Sequence, residues 1–191
     1  MRLFVALNLP DAVRQRIDAE VLTPLRGRLP GVRWVRPESL HVTLAFLGER
    51  SEAEAREAHA AVRDAAGSRD PLHVTLTGLG VFPSPDRPKV LWLGLSDPAP
   101  VRELHRAFER TRARLGVPAE GRAYHPHVTL GRVPPAAEAD VQRGLDAALD
   151  GLTFTADVTL ESLDLMRSQP GPVGSRYTTL LAAPLARAEV R

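Results

Sequence analysis

The chain has 191 residues and a formal net charge of +2, and 43% of its residues are hydrophobic, which is typical of one globular unit. The absence of cysteine excludes disulfides, thiolate metal sites and cysteine nucleophiles. The single lysine, Lys89, follows no glycine-rich loop, so a phosphate-binding P-loop is excluded as well.

The sequence predicts no membrane attachment. No run of apolar residues approaches the ~18 that a membrane span needs. The apolar N-terminal run is broken by Pro10, Asp11 and Arg14, and no small-residue cleavage site follows, so we expect no signal peptide. We therefore expect a protein of the cytoplasm.

Strand and helix patterns alternate along the chain. A strand is predicted where apolar residues form a short run or alternate with polar ones, and a helix where they recur every three or four positions. A capping box at Ser51–Glu54 marks the start of one helix, and Pro83, Pro85 and Pro88 predict a loop. The predicted strands are 3–9, 40–47, 72–79, 90–95, 126–132, 152–155, 158–166 and 177–181. Predicted helices begin at Asp11 and Ser51, a third has Val101 on its apolar face, and a fourth, which contains Val141, follows Pro134-Pro135. A further loop is predicted over 169–175.

An internal repeat organises these elements. Strand, helix, strand and helix occur over residues 3–66 and again over 90–149, and the second strand of each copy contains His-Val-Thr-Leu, beginning at His41 and His127. The repeat predicts a single α+β domain over residues 1–191. We expect two pseudo-symmetric lobes of antiparallel strands, with outer helices, around a central cleft.

The tetrapeptide pattern itself indicates acid–base chemistry. On a strand, residues two apart point to the same face, so His41 lies beside Thr43 and His127 beside Thr129. An imidazole titrates near neutrality and can give or take a proton, and a threonine hydroxyl can donate to an anionic oxygen. Two such pairs across a cleft suit attack on phosphorus, where one proton leaves the nucleophile and another reaches the departing oxygen.

A third copy of the tetrapeptide begins at His73. Its strand is not flanked by the helices that flank the other two copies, and His73, Thr75 and Thr77 form the polar side of an alternating strand. We therefore predict that His73 takes no part in catalysis.

The two paired motifs resemble those of a known family. His41-Val42-Thr43-Leu44 and Pro126-His127-Val128-Thr129 are similar to the two His-x-Thr motifs of the 2H phosphoesterases, and within them of the RNA 2′,3′-cyclic phosphodiesterases, historically named 2′-5′ RNA ligases. The resemblance extends over the whole chain and includes the segments 2–7, 34–35 and 79–83 and the late Tyr177. Gly131 stands where alanine is common, and we expect the missing side chain to leave the chemistry unchanged.

The resemblance implies hydrolysis of the 2′,3′-cyclic phosphate at an RNA 3′ end to a 2′-phosphate, without a metal or other cofactor. It implies that His41 is the proton donor and His127 the proton acceptor, although the repeat by itself makes the two histidines equivalent. Thr43 and Thr129 would hold the nonbridging oxygens, whose charge grows in the transition state. RNA would be the partner, and we expect a monomer.

Several other side chains are candidates near the motifs. Arg132 ends the second motif strand and is expected to contact phosphate, as the family pattern suggests. His125 could support His127, bind a metal with it, or lie at the rim; no nearby carboxylate has the spacing of a third ligand. Tyr177 and Trp34 are either buried aromatics or stacking surfaces for a base. Phe46 is predicted to lie in the core with Val42 and Leu44, and His59 and His105 to be solvated on helices.

Three alternative functions remain at this point. The same site could run the reaction backwards and form a 2′-5′ bond between RNA strands without ATP. It could act on a small cyclic phosphate such as ADP-ribose 1″,2″-cyclic phosphate. It could also bind RNA without catalysis, although two intact His-x-Thr motifs argue against that.

Overall fold

The computed structural model describes residues 1–118, 121, 123–171 and 175–186. Within these residues the chain forms nine strands and five α-helices. The strands are β1 (Arg2–Asn8), β2 (Arg33–Trp34), β3 (His41–Glu49), β4 (Leu72–Ser84), β5 (Arg87–Leu95), β6 (Val128–Arg132), β7 (Thr155–Leu160), β8 (Ser162–Gln169) and β9 (Arg176–Pro184). The helices are α1 (Asp11–Ile17), α2 (Thr23–Arg28), α3 (Glu52–Ala66), α4 (Ala99–Arg114) and α5 (Glu138–Leu149). A π-helical turn, Asp18–Leu22, joins α1 to α2.

The strands form one antiparallel sheet in the order β7-β4-β5-β6-β3-β1-β8-β9, and β2 pairs with β6 outside this path. Four strands lie on each side of the β3–β6 junction. Among the described residues a single pair, Val42 with Val128, joins these two strands. The predicted α+β fold with antiparallel strands and outer helices is confirmed, whereas the division of the chain into two sequence repeats stays a prediction.

One face of the sheet is covered by helices and holds the core. Leu3, Val5 and Leu7 of β1 and Val42 of β3 point to this face and are buried. Helix α3 packs on β8 and β9, α4 on β3 and β4, and α5 on β5, which leaves the other face of the central strands available for a cleft. None of the described helices is long and apolar enough to cross a membrane.

A β-bulge interrupts each of the two central strands at the same place. Thr43 pairs with Ala6 and Ala45 with Val5, so Leu44 is the extra residue in β3. Thr129 pairs with Trp92 and Gly131 with Leu91, so Leu130 is the extra residue in β6. An extra residue shifts the alternation of the side chains that follow it, and in β3 the register shifts again beyond Phe46.

The bulges send Phe46 and Arg132 to the open face of the sheet. Phe46 pairs with Phe4 across the β1–β3 ladder and is 50% exposed. The prediction that Phe46 lies in the core is therefore wrong, because strict alternation from Val42 does not hold beyond the bulge. The residues before them, Ala45 and Gly131, are turned to the core and are buried.

Several predicted boundaries also change. The proline-rich segment 83–88 is a hairpin between β4 and β5 rather than a loop, and Pro83 pairs with Pro88 near its tip, a strand end where the missing N–H is tolerated. The predicted strand 152–155 is irregular until β7 begins at Thr155, and Glu161 divides the predicted strand 158–166 into β7 and β8. Residues 172–174 of the predicted loop lie outside the described residues.

Gly131 makes room for the strand that lies beside it. It pairs with Trp34 of β2, and a Cβ at position 131 would lie 2.7 Å from Val32 Cγ1 and 3.0 Å from Trp34 Cε3. These contacts are closer than packed carbon atoms allow, so the missing side chain has a structural role here. Trp34 is half-buried and packs against the core, which favours the buried alternative of the two considered from the sequence.

We therefore expect Gly131→Ala to lower the free energy of unfolding by about 1–3 kcal/mol through overpacking against Val32 and Trp34. Gly27→Ala is the matched control, because a Cβ at Gly27 in α2 would meet no atom within 4 Å. That substitution should be neutral or stabilising by roughly 0.5–1 kcal/mol. Urea unfolding measures both, and a Gly131→Ala protein as stable as the wild type would contradict the packing argument.

Candidate active site

The β3–β6 junction brings the two His-x-Thr motifs together on the open face. Val42 and Val128 pair with each other and are both fully buried. Because the strands are antiparallel, the residues on either side of this pair face one another: His41 lies opposite Thr129, and Thr43 lies opposite His127. The histidines are thus diagonal neighbours, with about 7–8 Å between their backbones by ordinary strand geometry.

Both imidazoles are held in the same way. His41 Nδ1 lies 2.7 Å from the carbonyl oxygen of Ser39, and His127 Nδ1 lies 2.7 Å from that of His125. A carbonyl oxygen only accepts hydrogen bonds, so Nδ1 carries the hydrogen in each ring and Nε2 has the free lone pair when the ring is neutral. His41 Nε2 lies 3.1 Å from Thr43 Oγ1.

Two aromatic rings stand against each histidine. Phe4 and Tyr177 lie 5.2 and 5.4 Å from the His41 ring, measured between ring centroids. Phe82 and Trp92 lie 5.1 and 6.4 Å from the His127 ring. These rings shield the imidazoles from water. Three of the four contacts are T-shaped rather than stacked.

The surroundings favour neutral imidazoles. Burial lowers the pKa of His41 to about 4, and positive charge on His127 and Arg132 also lowers it. The hydrogen bond to Ser39 acts in the opposite direction and raises this pKa. Burial also lowers the pKa of His127, with Arg132 and His125 adding to the effect. Near pH 7 both histidines of the unliganded protein are therefore mostly neutral.

A cavity of about 440 Å³ opens at this junction. It combines polar groups from both motifs with aromatic rings from the β1 side of the sheet. Among its lining residues are His41, Thr43, Thr129, Arg132, Phe46 and Tyr177. Sequence reasoning missed Phe46, because the bulge that turns it into the cavity leaves no pattern in the sequence.

The other two candidate histidines lie apart from this cavity. His73 is on β4, where its Nδ1 lies 3.0 Å from Thr159 Oγ1 of β7, and β5 separates β4 from β6. His125 lines a second cavity beside His127 and lies 6.2 Å from the Phe82 ring. No cluster of three or more His, Cys, Asp or Glu side chains with metal-binding geometry occurs among the described residues.

Tyr124 connects the two motifs and was also missed by the sequence reasoning. Its hydroxyl donates to the backbone oxygen of Thr43 at 2.9 Å. Its ring stacks on His105 of α4 with 3.9 Å between centroids. The prediction that His105 is a solvated helix residue is therefore wrong, because the stack on Tyr124 half-buries it.

The family of the chain is shown by comparison with known protein families. A model of the 2′-5′ RNA ligase superfamily matches residues 9–172, a range that contains both His-x-Thr motifs. The chain belongs to this superfamily.

Relatives and solved structures of the superfamily cover nearly the full chain. The RNA 2′,3′-cyclic phosphodiesterase of Methanothermobacter thermautotrophicus is 31% identical over 94% of this chain and 96% of its own length. The enzyme of the same name from Thermus thermophilus is 32% identical over 94% and 88%. The crystal structure of TT0787 from Thermus thermophilus matches with a TM-score of 0.80 and 29% identity, over 98% of this chain and all of that one. E. coli LigT complexed with 3′-AMP matches with a TM-score of 0.69 and 28% identity, over 97% and 98%.

The lowered pKa values are directly measurable by NMR titration of the histidine ring protons. We expect His41 to titrate near pH 4 and His127 below its ordinary 6.5. Arg132→Gln should raise both pKa values, because it removes a cation that opposes protonation. Arg106→Gln, an equal change of charge on an exposed part of α4, is the control. Midpoints at or above 6.5, or midpoints unmoved by Arg132→Gln, would contradict this electrostatic picture.

Proposed function

We propose that the protein hydrolyses the 2′,3′-cyclic phosphate at the 3′ end of RNA and leaves a 2′-phosphate. The observation that carries the proposal is the pairing of Val42 with Val128, which sets His41 and Thr43 beside Thr129 and His127 on one face of the sheet. The relatives named RNA 2′,3′-cyclic phosphodiesterase support it. We also propose that the protein works in the cytoplasm as a monomer, as expected from the sequence.

The two imidazoles divide the proton transfers between them. His127 Nε2, neutral in the unliganded protein, accepts a proton from water as the water oxygen forms its bond to phosphorus. The bond from phosphorus to the 3′ oxygen breaks, and His41 Nε2 donates a proton to that oxygen. The near-symmetric geometry suits either direction, and the assignment of His41 as donor rests on the family resemblance.

His41 needs a proton before it can act as the acid. With a pKa of about 4 in the unliganded protein, only a small fraction carries one near pH 7. The negative charge of a bound cyclic phosphate favours the imidazolium and raises that pKa. Substrate binding therefore prepares the acid, while the Ser39 carbonyl keeps Nδ1 engaged and directs the new proton to Nε2.

Thr43, Thr129 and Arg132 serve the phosphate itself. Each threonine hydroxyl is a neutral donor for one nonbridging oxygen, and the Arg132 guanidinium adds a positive charge where negative charge grows in the transition state. Thr43 lies on β3, and Thr129 and Arg132 lie on the neighbouring β6. These positions suit a phosphorus atom held between the two histidines.

The nucleoside that carries the cyclic phosphate fits the aromatic side of the cavity. Phe46 is half exposed there, and Tyr177 and Phe4 lie behind it, with 6.1 Å between the Phe4 and Phe46 rings. Exposed aromatic rings are how proteins commonly bind the unstacked bases at single-stranded RNA ends. The aromatic rings beside His41 support binding of the nucleoside on the His41 side, and the choice of the 3′ oxygen as the leaving group rests on the family resemblance.

Alanine substitution of the motif residues tests the mechanism on an oligonucleotide that ends in a 2′,3′-cyclic phosphate. His41→Ala and His127→Ala should each lower kcat by about 10²–10⁴-fold, because each removes one positioned proton transfer. Thr43→Ala and Thr129→Ala should lower it by roughly 10–10³-fold, since each removes one neutral donor. The double histidine variant should lose much less than the product of the single effects.

His73→Ala is the matched control, because it removes a histidine from the same tetrapeptide and should retain activity within a few-fold of wild type. Phosphate-position analysis by ³¹P NMR identifies the product. Near-wild-type turnover in either motif histidine variant would contradict the mechanism, and a 3′-phosphate product would reverse the orientation of the substrate.

Metal dependence is tested separately. The chain has no cysteine, and His125 and His127 have no third ligand of suitable spacing in the sequence. We expect activity to survive prolonged treatment with EDTA. A large loss that zinc or manganese restores would instead support a metal site at His125-Pro126-His127.

A further inference from the structure

Two arginines lie side by side at one end of the cavity that holds the histidine pair. Arg33 of β2 pairs with Arg132 of β6, so both side chains point to the open face of the sheet. Arg132 lines the cavity, and so does Val35, which lies two residues beyond Arg33 and therefore on the same face. Arg33 itself is not among the described residues that line the cavity. It stands at the rim, next to Arg132.

This arginine pair carries two positive charges without an acidic partner. Both side chains are exposed, and neither guanidinium makes an ion pair or a hydrogen bond with the other described residues. Like charges directly opposite each other on neighbouring strands are destabilising. A bound anion would offset this repulsion, and the oxygens of a phosphodiester match the fork of a guanidinium.

The arginine pair and the exposed aromatic ring lie at opposite ends of the cavity. Phe46 is four residues beyond Val42 on β3, and Arg132 is four residues beyond Val128 on β6. Because Val42 pairs with Val128 and the two strands are antiparallel, Phe46 and Arg132 lie in opposite directions from the catalytic centre. The cavity therefore has an aromatic end and a cationic end.

The covalent structure of ribose connects these two ends with two parts of the substrate. C2′ is bonded to C1′, which carries the base, whereas C3′ is bonded to C4′, which carries C5′ and the rest of the strand. With the base at the aromatic end and the 3′ oxygen at His41, as proposed above, the 5′ side of the ribose points away from Phe46. The cavity continues in that direction past Ser39 and Val35, and at its rim the strand meets the arginine pair.

We propose that Arg33, together with Arg132, binds the phosphodiester that precedes the terminal nucleoside, so that the site favours the end of an RNA strand over a free nucleoside cyclic phosphate. This rests on the proposed function, and specifically on the orientation of the nucleoside given there. Arg132 also serves the reacting phosphate, whereas Arg33 contacts the preceding phosphodiester alone. Arg33 is thus a specificity-determining residue and takes no part in the proton transfers.

The test compares Arg33→Gln with the wild type on two substrates: a nucleoside 2′,3′-cyclic phosphate with a free 5′-hydroxyl, and a trinucleotide that ends in the same cyclic phosphate. For the trinucleotide, kcat/KM should fall by about 5–10-fold, between the values of an exposed ion pair and a charge-assisted hydrogen bond. For the nucleoside it should change by less than about twofold. The slope of log kcat/KM against log salt concentration should become less steep by about 0.7 for the trinucleotide, because one phosphate contact to a single strand is lost.

Arg106→Gln is the matched control. It removes an equal charge from an exposed part of α4, a helix that packs on β3 and β4 from the face opposite the cavity. It should change neither the two kcat/KM values nor the salt slope. Urea unfolding should show that Arg33→Gln is at least as stable as the wild type, since the substitution removes a repulsion.

A neutral linkage tests the same contact from the side of the substrate. A methylphosphonate in place of the last phosphodiester of the trinucleotide removes its negative charge, and the wild type should hydrolyse this substrate about 5–10-fold less efficiently. Arg33→Gln should lose little more on it, because the two changes remove the same interaction.

The outcomes separate this proposal from the proposed function. A loss confined to the trinucleotide and shared with the methylphosphonate supports the phosphodiester subsite. Equal loss on both substrates would assign Arg33 to the reacting phosphate and overturn the proposal. Loss on neither substrate, or additive effects of the substitution and the methylphosphonate, would also overturn it. A wild-type protein that hydrolyses neither substrate overturns the proposed function instead.

Discussion

The site depends on the pairing of Val42 with Val128. These two buried side chains join β3 to β6 at the middle of the sheet, and their register determines which residues face the cleft. A slip by one residue would turn each histidine to the helix-covered face and bring each valine to the surface. The burial of these two apolar side chains therefore fixes the positions of the four polar side chains of the two His-x-Thr motifs.

The two bulges complete this arrangement and also break its symmetry. Each bulge adds one extra residue directly after the motif threonine. The second residue after this extra residue therefore points towards the cleft. In one strand that residue is Phe46 and in the other it is Arg132. Equivalent backbone positions therefore offer an aromatic ring on one side of the cavity and a cation on the other. A site built by near-symmetric strands can in this way bind an asymmetric substrate in one orientation.

The surroundings of the two histidines are compatible with the roles of acid and base that we propose for them. Aromatic rings and burial keep both imidazoles neutral in the unliganded protein, which suits the base directly. In the proposed mechanism His41 gains its proton when the anionic substrate binds, because a nearby negative charge raises the pKa of the imidazole. The carbonyls of Ser39 and His125 accept hydrogen bonds from Nδ1 in both rings, which leaves Nε2 as the ring atom available for the proposed proton transfers.

The sequence by itself determined the order of elements, the α+β class and the residues of the two motifs. It could do so because strand alternation and helix spacing are local patterns, and because a repeated His-x-Thr places both side chains on one face of any strand. It also separated His73 from the pair by the missing flanking helices, in agreement with its place two strands away from β6.

Only the tertiary structure decided what surrounds the motifs. Phe46 was predicted to lie in the core because strict alternation was extended past Leu44. A bulge depends on how the strand pairs with its partner, so the pattern of alternating residues does not reveal it. Tyr124 and His105 come together from a loop and a helix that are far from Thr43 in sequence. The fit of Gly131 against Trp34, and of Gly80 and Gly94 against Trp92, depends on distances between separate strands. Such contacts arise from packing in three dimensions, which no local pattern of residues encodes.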